Sequence, residues 1–152
     1  MPNGYYGDQN ATRVISSHPD YPGIRTPEDL YRALLHVWSA DTCAPRMREK
    51  WSPEDPTLGQ CSITACLAQD IFGGKVRGVL LGDGNFHCFN TVEGTAFDLT
   101  SGQFAGQVLK YDDAPEQSRE VHFAKEEKRR RYELLAARLR AYLAGRGDGE
   151  DA

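Results

Sequence analysis

The strongest indication of the fold comes from Pro56–Gly74, PTLGQCSITACLAQDIFGG. From residue 62 to residue 72, seven of eleven residues are apolar and none is Lys, Arg or Glu. A helix that is apolar around most of its girth lies in a protein interior. Gly73 predicts where it ends, because glycine readily takes the positive φ that terminates helices. We therefore expect a buried helix that starts directly after Cys61.

The position of Cys61 at a helix start is typical of a nucleophile. The first N–H groups of a helix have no intrahelical acceptor, and the helix dipole is positive there. A thiolate at that point is stabilised, and the same N–H groups can stabilise an oxyanion. Gln60, adjacent in sequence, is a candidate for the side-chain half of an oxyanion hole. Trp51, in the preceding loop, is either a substrate contact or, as the favoured reading, an anchor for that loop.

Three β-rich runs follow the helix: KVRGVLLG, NFHCFNTV and TAFDLT. The dipeptides Asp83-Gly84 and Glu93-Gly94 divide them, which predicts a three-stranded antiparallel meander. If Glu93-Gly94 is a two-residue loop, His87 and Asp98 share one face of the sheet and lie within reach of a hydrogen bond. We also expect the helix that starts at Cys61 to cover this face. On this register Cys88 points to the opposite face and is assigned to the core.

The remaining segments complete a single α+β domain over residues 14–145, with flanking N- and C-terminal helices. Thr26 and Pro27 predict the start of the first helix. Residues 39–60 are rich in proline and turn formers and predict a long functional loop. Residues 1–13 are predicted to be a flexible N-terminus and residues 146–152 a disordered acidic tail.

Composition indicates an ordinary globular protein, with 39% hydrophobic and 26% charged residues over 152 positions. No run approaches the roughly 18 apolar residues of a membrane span, and the N-terminus is unlike a secretory signal. The expected location is the cytoplasm, with four reduced thiols. The cysteines do not form CxxC pairs, so neither a metal site nor another cofactor is expected.

The basic segment 119–146 holds nine Lys and Arg against four Asp and Glu, whereas the residues before it are acidic overall. Nucleic-acid binding is the less favoured interpretation, because no recognition motif or interleaved aromatic residues accompany the charge. A solvated helix face lying on an acidic body is the favoured interpretation.

The order Cys61, His87, Asp98 on a helix followed by an antiparallel sheet resembles papain-like and transglutaminase-like cysteine enzymes over residues 57–100. The resemblance implies a nucleophile, a base and an orienting carboxylate at these three positions. The sequence departs from papain at Ser62, where papain has Trp, and at Gln60, which adjoins the cysteine instead of preceding it by several residues. The motifs WSADTC, WSPEDPTLGQCSITACLAQDIFGG, HCFN, DLTSGQF and RRYELLAARL look like the YunG family of uncharacterised bacterial proteins. That resemblance implies a small bacterial cytosolic protein and no particular reaction.

The sequence therefore predicts a cysteine-dependent hydrolase or acyltransferase that acts on an amide or ester bond. Cys61 attacks, His87 takes the thiol proton and Asp98 orients the imidazole. The alternative is a non-catalytic binding module on the same fold, in which His87 and Asp98 only hold the sheet together. The substrate is an unidentified small molecule or peptide, and the sequence does not indicate an oligomeric state.

Overall fold

The computed structural model describes residues 4–147, which form an α+β arrangement as the sequence predicts. A three-stranded antiparallel sheet in the order β1-β2-β3 lies beside four α-helices. The strands are β1 Lys75–Leu80, β2 Phe86–Val92 and β3 Thr95–Phe97, and the α-helices are α1 Pro27–Leu34, α2 Cys61–Phe72, α3 Arg119–Phe123 and α4 Glu126–Gly147.

The register predicted for the β2–β3 hairpin is confirmed. Val92 pairs with Thr95, and the pairing continues to Asn90 and Phe97. Glu93 and Gly94 have φ angles of 49° and 83°. Two consecutive positive φ angles are what a two-residue type I′ turn requires, and this turn fixes the register locally.

The face of the sheet that α2 covers is not the one the sequence predicted. Cys61 and Ala65 of α2 pack against Val76 and Cys88, and the Asn90 side chain donates to the Ala65 carbonyl at 2.9 Å. These strand residues share the face opposite His87, because side chains alternate along a strand. The expectation that α2 covers the His87 face is therefore wrong. Helix periodicity requires that α2 be covered but does not specify by which face.

The start of α2 nevertheless reaches His87, because one edge of β2 is open there. Pairing with β3 stops at Phe97, after which Asp98 forms an isolated bridge to Tyr6. The part of β2 from residue 86 to 89 therefore has no partner from β3. Cys61 lies against this edge, where the backbone N–H of Cys88 helps to lower the thiol pKa.

Helix α2 packs between β2 and α4. Its Leu67 and Ile71 belong to the main hydrophobic core, together with leucines of α1 and α4 (Leu30, Leu34, Leu135, Leu139). A capping box starts α1: the Thr26 hydroxyl accepts from the Asp29 N–H, and the Asp29 carboxylate accepts from the Thr26 N–H. The sequence predicted both flanking helices.

Residues 4–13 are part of the packed fold, so the predicted flexible N-terminus is corrected for this segment. Tyr5 and Ala11 are buried, and the Tyr6 carbonyl accepts from the Asp98 N–H at 3.0 Å. The polar composition of the segment concealed these few anchoring residues. At the other end, α4 extends to Gly147, and the rest of the predicted tail lies outside the described residues.

The segment 39–60 has no α-helix and no extended strand, in line with the predicted loop, but it contains the 3₁₀-helices Ala40–Thr42 and Pro45–Lys50. Trp51 follows the second of these, and its indole N–H donates to the Pro56 carbonyl at 3.0 Å. This bond closes the loop on itself just before α2.

Candidate active site

His87 and Asp98 form a buried hydrogen-bonded pair. The distance from His87 Nε2 to Asp98 Oδ2 is 2.7 Å, and both side chains are at most 2% exposed. The hairpin register brings the two residues to one face, as predicted. The Phe104 ring meets the His87 ring edge-on at 4.7 Å between centroids and restricts the imidazole. Because Nε2 is engaged by the carboxylate, Nδ1 is the nitrogen left for Cys61.

The Asp98 carboxylate has a full set of donors. Its Oδ2 also accepts from the Tyr111 hydroxyl at 2.6 Å, and its Oδ1 accepts from the backbone N–H and the hydroxyl of Thr100 at 3.1 and 3.2 Å. Tyr6 stacks on the Tyr111 ring at 3.8 Å between centroids. A buried carboxylate with this many donors is held rigidly in one position.

Cys61 is the first residue of α2 and is partly exposed. Hydrogen bonding with the Cys88 thiol is the largest influence on its pKa and lowers it; burial opposes this, and His87 lowers the pKa further. The pKa of Cys61 therefore lies well below that of an ordinary thiol. Burial acts without such partners on Cys66, one turn and a half further along α2, and raises its pKa to about 11.

The pKa of His87 shifts in the opposite direction to that of Cys61. Burial by itself lowers the pKa of His87, but hydrogen bonds with Asp98 and Cys61 outweigh burial and raise the pKa to about 10. Both shifts favour a thiolate beside an imidazolium, the ionisation state that cysteine nucleophiles use.

A second polar chain reaches Cys61 from the other side. The distance from Cys88 Sγ to His122 Nε2 is 3.8 Å, and that from His122 Nδ1 to Lys128 Nζ is 2.9 Å. An ammonium group can only donate, so Nδ1 accepts and the proton of neutral His122 is on Nε2, directed at Cys88. Burial, followed by the charge of Lys128, lowers the pKa of His122 to about 4. The Cys88 thiol then donates to the Cys61 thiolate, which raises the pKa of Cys88.

A cavity of about 930 Å³ lies above Cys61. His87, Cys88 and His122 line it near the thiol, and Phe104, which contacts the His87 ring, lines it together with Gln103. A partly exposed thiolate in a cavity of this size is accessible to a small molecule or an extended peptide segment.

Two predicted binding residues do not reach this cavity. The Gln60 side chain is fully buried, and its amide N–H donates to the Ser39 carbonyl at 3.0 Å. It does not cap α2, and its Oε1 has no hydrogen-bond partner. Trp51 anchors its own loop through Pro56. The predicted site thus converges at Cys61, His87 and Asp98, whereas Gln60 and Trp51 point elsewhere.

Four residues of the arrangement were not predicted as site residues: Cys88, Tyr111, His122 and Lys128. Strand alternation correctly placed Cys88 and His87 on opposite faces of the sheet. If α2 had been assigned to the face of Cys88, the same alternation would have placed Cys88 beside Cys61. His122 lies in a polar segment that gave no signal of burial, yet it is 8% exposed. Tyr111 and Lys128 approach the site through long-range packing, for which the sequence carries no local pattern.

Across residues 4–147, no three His, Cys, Asp or Glu side chains are grouped in a way that would hold a metal ion. Within the same residues, no helix has both the length and the apolar character needed to cross a membrane.

The fold and site define an α+β protein with a half-buried cysteine, a buried His-Asp pair and an adjoining cavity. The YunG protein family model matches residues 26–144, most of the chain, so the chain belongs to the YunG family. It is also similar to the Uncharacterized protein YunG of Bacillus subtilis (strain 168), with 36% identity over 90 residues, 59% of this chain and 71% of that protein. No solved structure gives a significant match.

Proposed function

We propose that the protein is a cysteine-dependent hydrolase or acyltransferase for an amide or ester bond, on a core of papain-like or transglutaminase-like type. The observation that carries the proposal is the buried hydrogen bond of 2.7 Å between His87 Nε2 and Asp98 Oδ2. It leaves Nδ1 to serve Cys61, at the start of α2 and at the edge of a cavity. Chain order and the elements that carry the three residues support the finer fold assignment.

The reaction begins when the Cys61 thiolate attacks the carbonyl carbon, forming a C–S bond while the π electrons move to oxygen. The N–H groups at the start of α2 stabilise this oxyanion, because they have no intrahelical acceptor. Imidazolium His87 gives its proton to the leaving nitrogen or oxygen as that bond breaks. Water, or an acceptor amine or alcohol, then attacks the thioester while His87 takes its proton, and Cys61 is released as thiolate.

Asp98 holds the imidazole in one orientation and stabilises its charged form throughout. Tyr111 and Thr100 hold the carboxylate in turn. In this scheme Gln60 has no role in the oxyanion hole, because its side-chain amide N–H already donates to the Ser39 carbonyl.

A non-catalytic binding module is the second candidate, and the position of Gln60 is the observation that favours it. Without a side-chain donor, the oxyanion relies on backbone N–H groups alone. A module of this kind would keep the cavity and bind its ligand without turnover.

The test is alkylation by iodoacetamide from pH 5 to pH 10, with the adducts mapped by mass spectrometry. Cys43 is the internal control, because burial raises its pKa. We expect Cys61 to react at a clearly lower pH than Cys43, and His87→Gln to shift the Cys61 profile upward by at least about one pH unit. A Cys61 that titrates like a free thiol contradicts the proposal.

A panel of ester and amide substrates, assayed with wild type and Cys61→Ala, separates the two candidates. Turnover that the variant loses supports the hydrolase. A reactive Cys61 without turnover on any member supports the binding module.

A further inference from the structure

We infer that the molecule processed at Cys61 carries an anionic group, a carboxylate or a phosphate, that binds Lys128 in the cavity. The inference rests on the proposed function and specifies its substrate class. It is carried by the charges that line the cavity and by the position of one ammonium group among them.

The cavity lining is mainly basic. Four Lys and Arg side chains (Arg46, Lys125, Lys128, Arg131) and two carboxylates (Asp83, Glu127) line it. Arg131 is paired with Glu127 and also donates to the Thr42 carbonyl, so its charge is already neutralised. Arg46, Asp83 and Lys125 are exposed to solvent, where water screens their charges.

Lys128 differs from the other cations because it is half-buried and has no carboxylate partner in the described part of the chain. Its Nζ contacts His122 Nδ1 at 2.9 Å, and among residues 4–147 no carboxylate forms a salt bridge with it. The nearest negative group is the Cys61 thiolate, which is already hydrogen-bonded to His87 and Cys88. A partly desolvated cation without a counter-ion is unfavourable, and a bound anion offsets that cost.

The geometry leaves room for such an anion. An ammonium group has three N–H donors, and His122 accepts one. His122 and Cys88 stand between Lys128 and Cys61, so an anion at Lys128 lies several bonds from the carbon that Cys61 attacks. This spacing fits an acyl compound with a remote acidic group, as in an N-acyl amino acid or its phosphonate counterpart.

The experiment compares two alkylating probes that differ only in charge: N-chloroacetylglycine and its neutral amide, N-chloroacetylglycinamide. In each probe, the Cys61 sulfur bonds to the CH₂ carbon of the chloroacetyl group while the C–Cl bond of that carbon breaks and chloride leaves. The acid-to-amide rate ratio at Cys61 is divided by the same ratio for mercaptoethanol. We expect wild type to favour the acid by about five-fold, the scale of a partly exposed ion pair.

Matched variants locate the source of the preference. Lys128→Gln should lower the normalised ratio to about one, whereas Lys128→Arg should keep most of it, since the charge remains. Lys110→Gln, which alters an exposed lysine outside the cavity lining, should leave the ratio unchanged. A ratio near one in wild type, or an unchanged ratio in Lys128→Gln, overturns the inference while leaving the nucleophile intact.

A second measurement does not depend on the reactivity of Cys61. N-acetylglycine, which cannot alkylate, should raise the midpoint of thermal unfolding of wild type more than that of Lys128→Gln, and equal shifts overturn the inference. If Cys61 resists both chloroacetyl probes, the proposed function fails, and N-acetylglycine still decides whether the anion site exists. N-acetylaminomethylphosphonate, in the same assay, distinguishes phosphate from carboxylate as the preferred group.

Discussion

Two histidines flank Cys61, and the molecule gives them opposite properties. Both are buried, and both line the same cavity. His87 contacts a carboxylate, and its pKa rises to about 10; His122 contacts an ammonium group, and its pKa falls to about 4. Burial lowers the pKa in both cases, so the charge of the neighbour decides the outcome. Cys61 therefore lies between one charged and one neutral imidazole.

The surroundings of His87 and of His122 also differ in how many hydrogen bonds hold them in place. On the His87 side, Asp98 accepts four hydrogen bonds from three residues. On the His122 side, single contacts join Cys88, His122 and Lys128 in a line. We therefore expect changes on the His87 side to cost more stability than changes on the His122 side.

Of the substitutions considered, Asp98→Ala should reduce stability the most, because it removes the carboxylate on the His87 side. It leaves His87 and the Tyr111 hydroxyl buried without their acceptor, and we expect a loss of about 3–5 kcal/mol in the free energy of unfolding. Urea denaturation measures it. Asp112→Ala, at an exposed aspartate, is the control and should change stability by less than about 0.5 kcal/mol. Equal effects of the two changes would show that the pair contributes nothing to the fold.

The two histidines should make stability depend on pH in opposite ways. His122 has a folded pKa of about 4, against 6.5 for the ordinary side chain. As the pH falls from 6.5 to 4, only the unfolded state takes up this proton, so wild type should lose about 3 kcal/mol that His122→Gln does not lose. Urea titrations of both proteins at pH 7.0, 5.5 and 4.0 measure the difference.

For His87 the dependence of stability on pH has the opposite sign. A folded pKa raised to about 10 contributes stability that is fully present below pH 6.5 and is lost as the pH rises from 6.5 to 10. The advantage of wild type over His87→Gln should therefore shrink over that interval. If the two variants followed wild type in parallel across the whole range, the assigned neighbours would be wrong.

Tyr111→Phe, also on the His87 side, should reduce stability less than Asp98→Ala. It removes one donor to a carboxylate, which is worth about 2 kcal/mol of unfolding free energy. Tyr6→Phe is a matched control, because its ring stacks on Tyr111 and no described residue hydrogen-bonds to its hydroxyl. Chemical denaturation of the two variants compares them, and a loss in Tyr111→Phe no greater than in Tyr6→Phe would argue against the Asp98 contact.

Cys88→Ala should have the smallest effect and tests how the His122 side acts on the pKa of Cys61. Without the Cys88 thiol as donor, the pKa of Cys61 should rise by about one unit, the value of one hydrogen bond to a charged group. Rates of iodoacetamide alkylation as a function of pH give this value. Cys88→Ser restores a donor and should return the profile toward wild type; a profile that stays displaced in Cys88→Ser points to packing instead.

Local signals account for what the sequence determined. The apolar run after Cys61, the glycine that ends it and the Glu93-Gly94 turn predicted α2 and the register of β2 with β3. Register follows from the turn because both central residues take positive φ and the side chains alternate with a period of two. The contact between His87 and Asp98 followed from these features alone.

Long-range packing decided the rest. Which face of the sheet α2 covers depends on the whole core, and the resulting placement of Cys88 beside Cys61 could not be inferred from alternation. His122 and Lys128 arrive from helices more than thirty residues further along the chain, and Tyr6 completes the pairing at Asp98 from the opposite terminus. A sequence determines turns and periodicities through neighbouring residues, whereas contacts between distant segments are set only when the chain has found its common core.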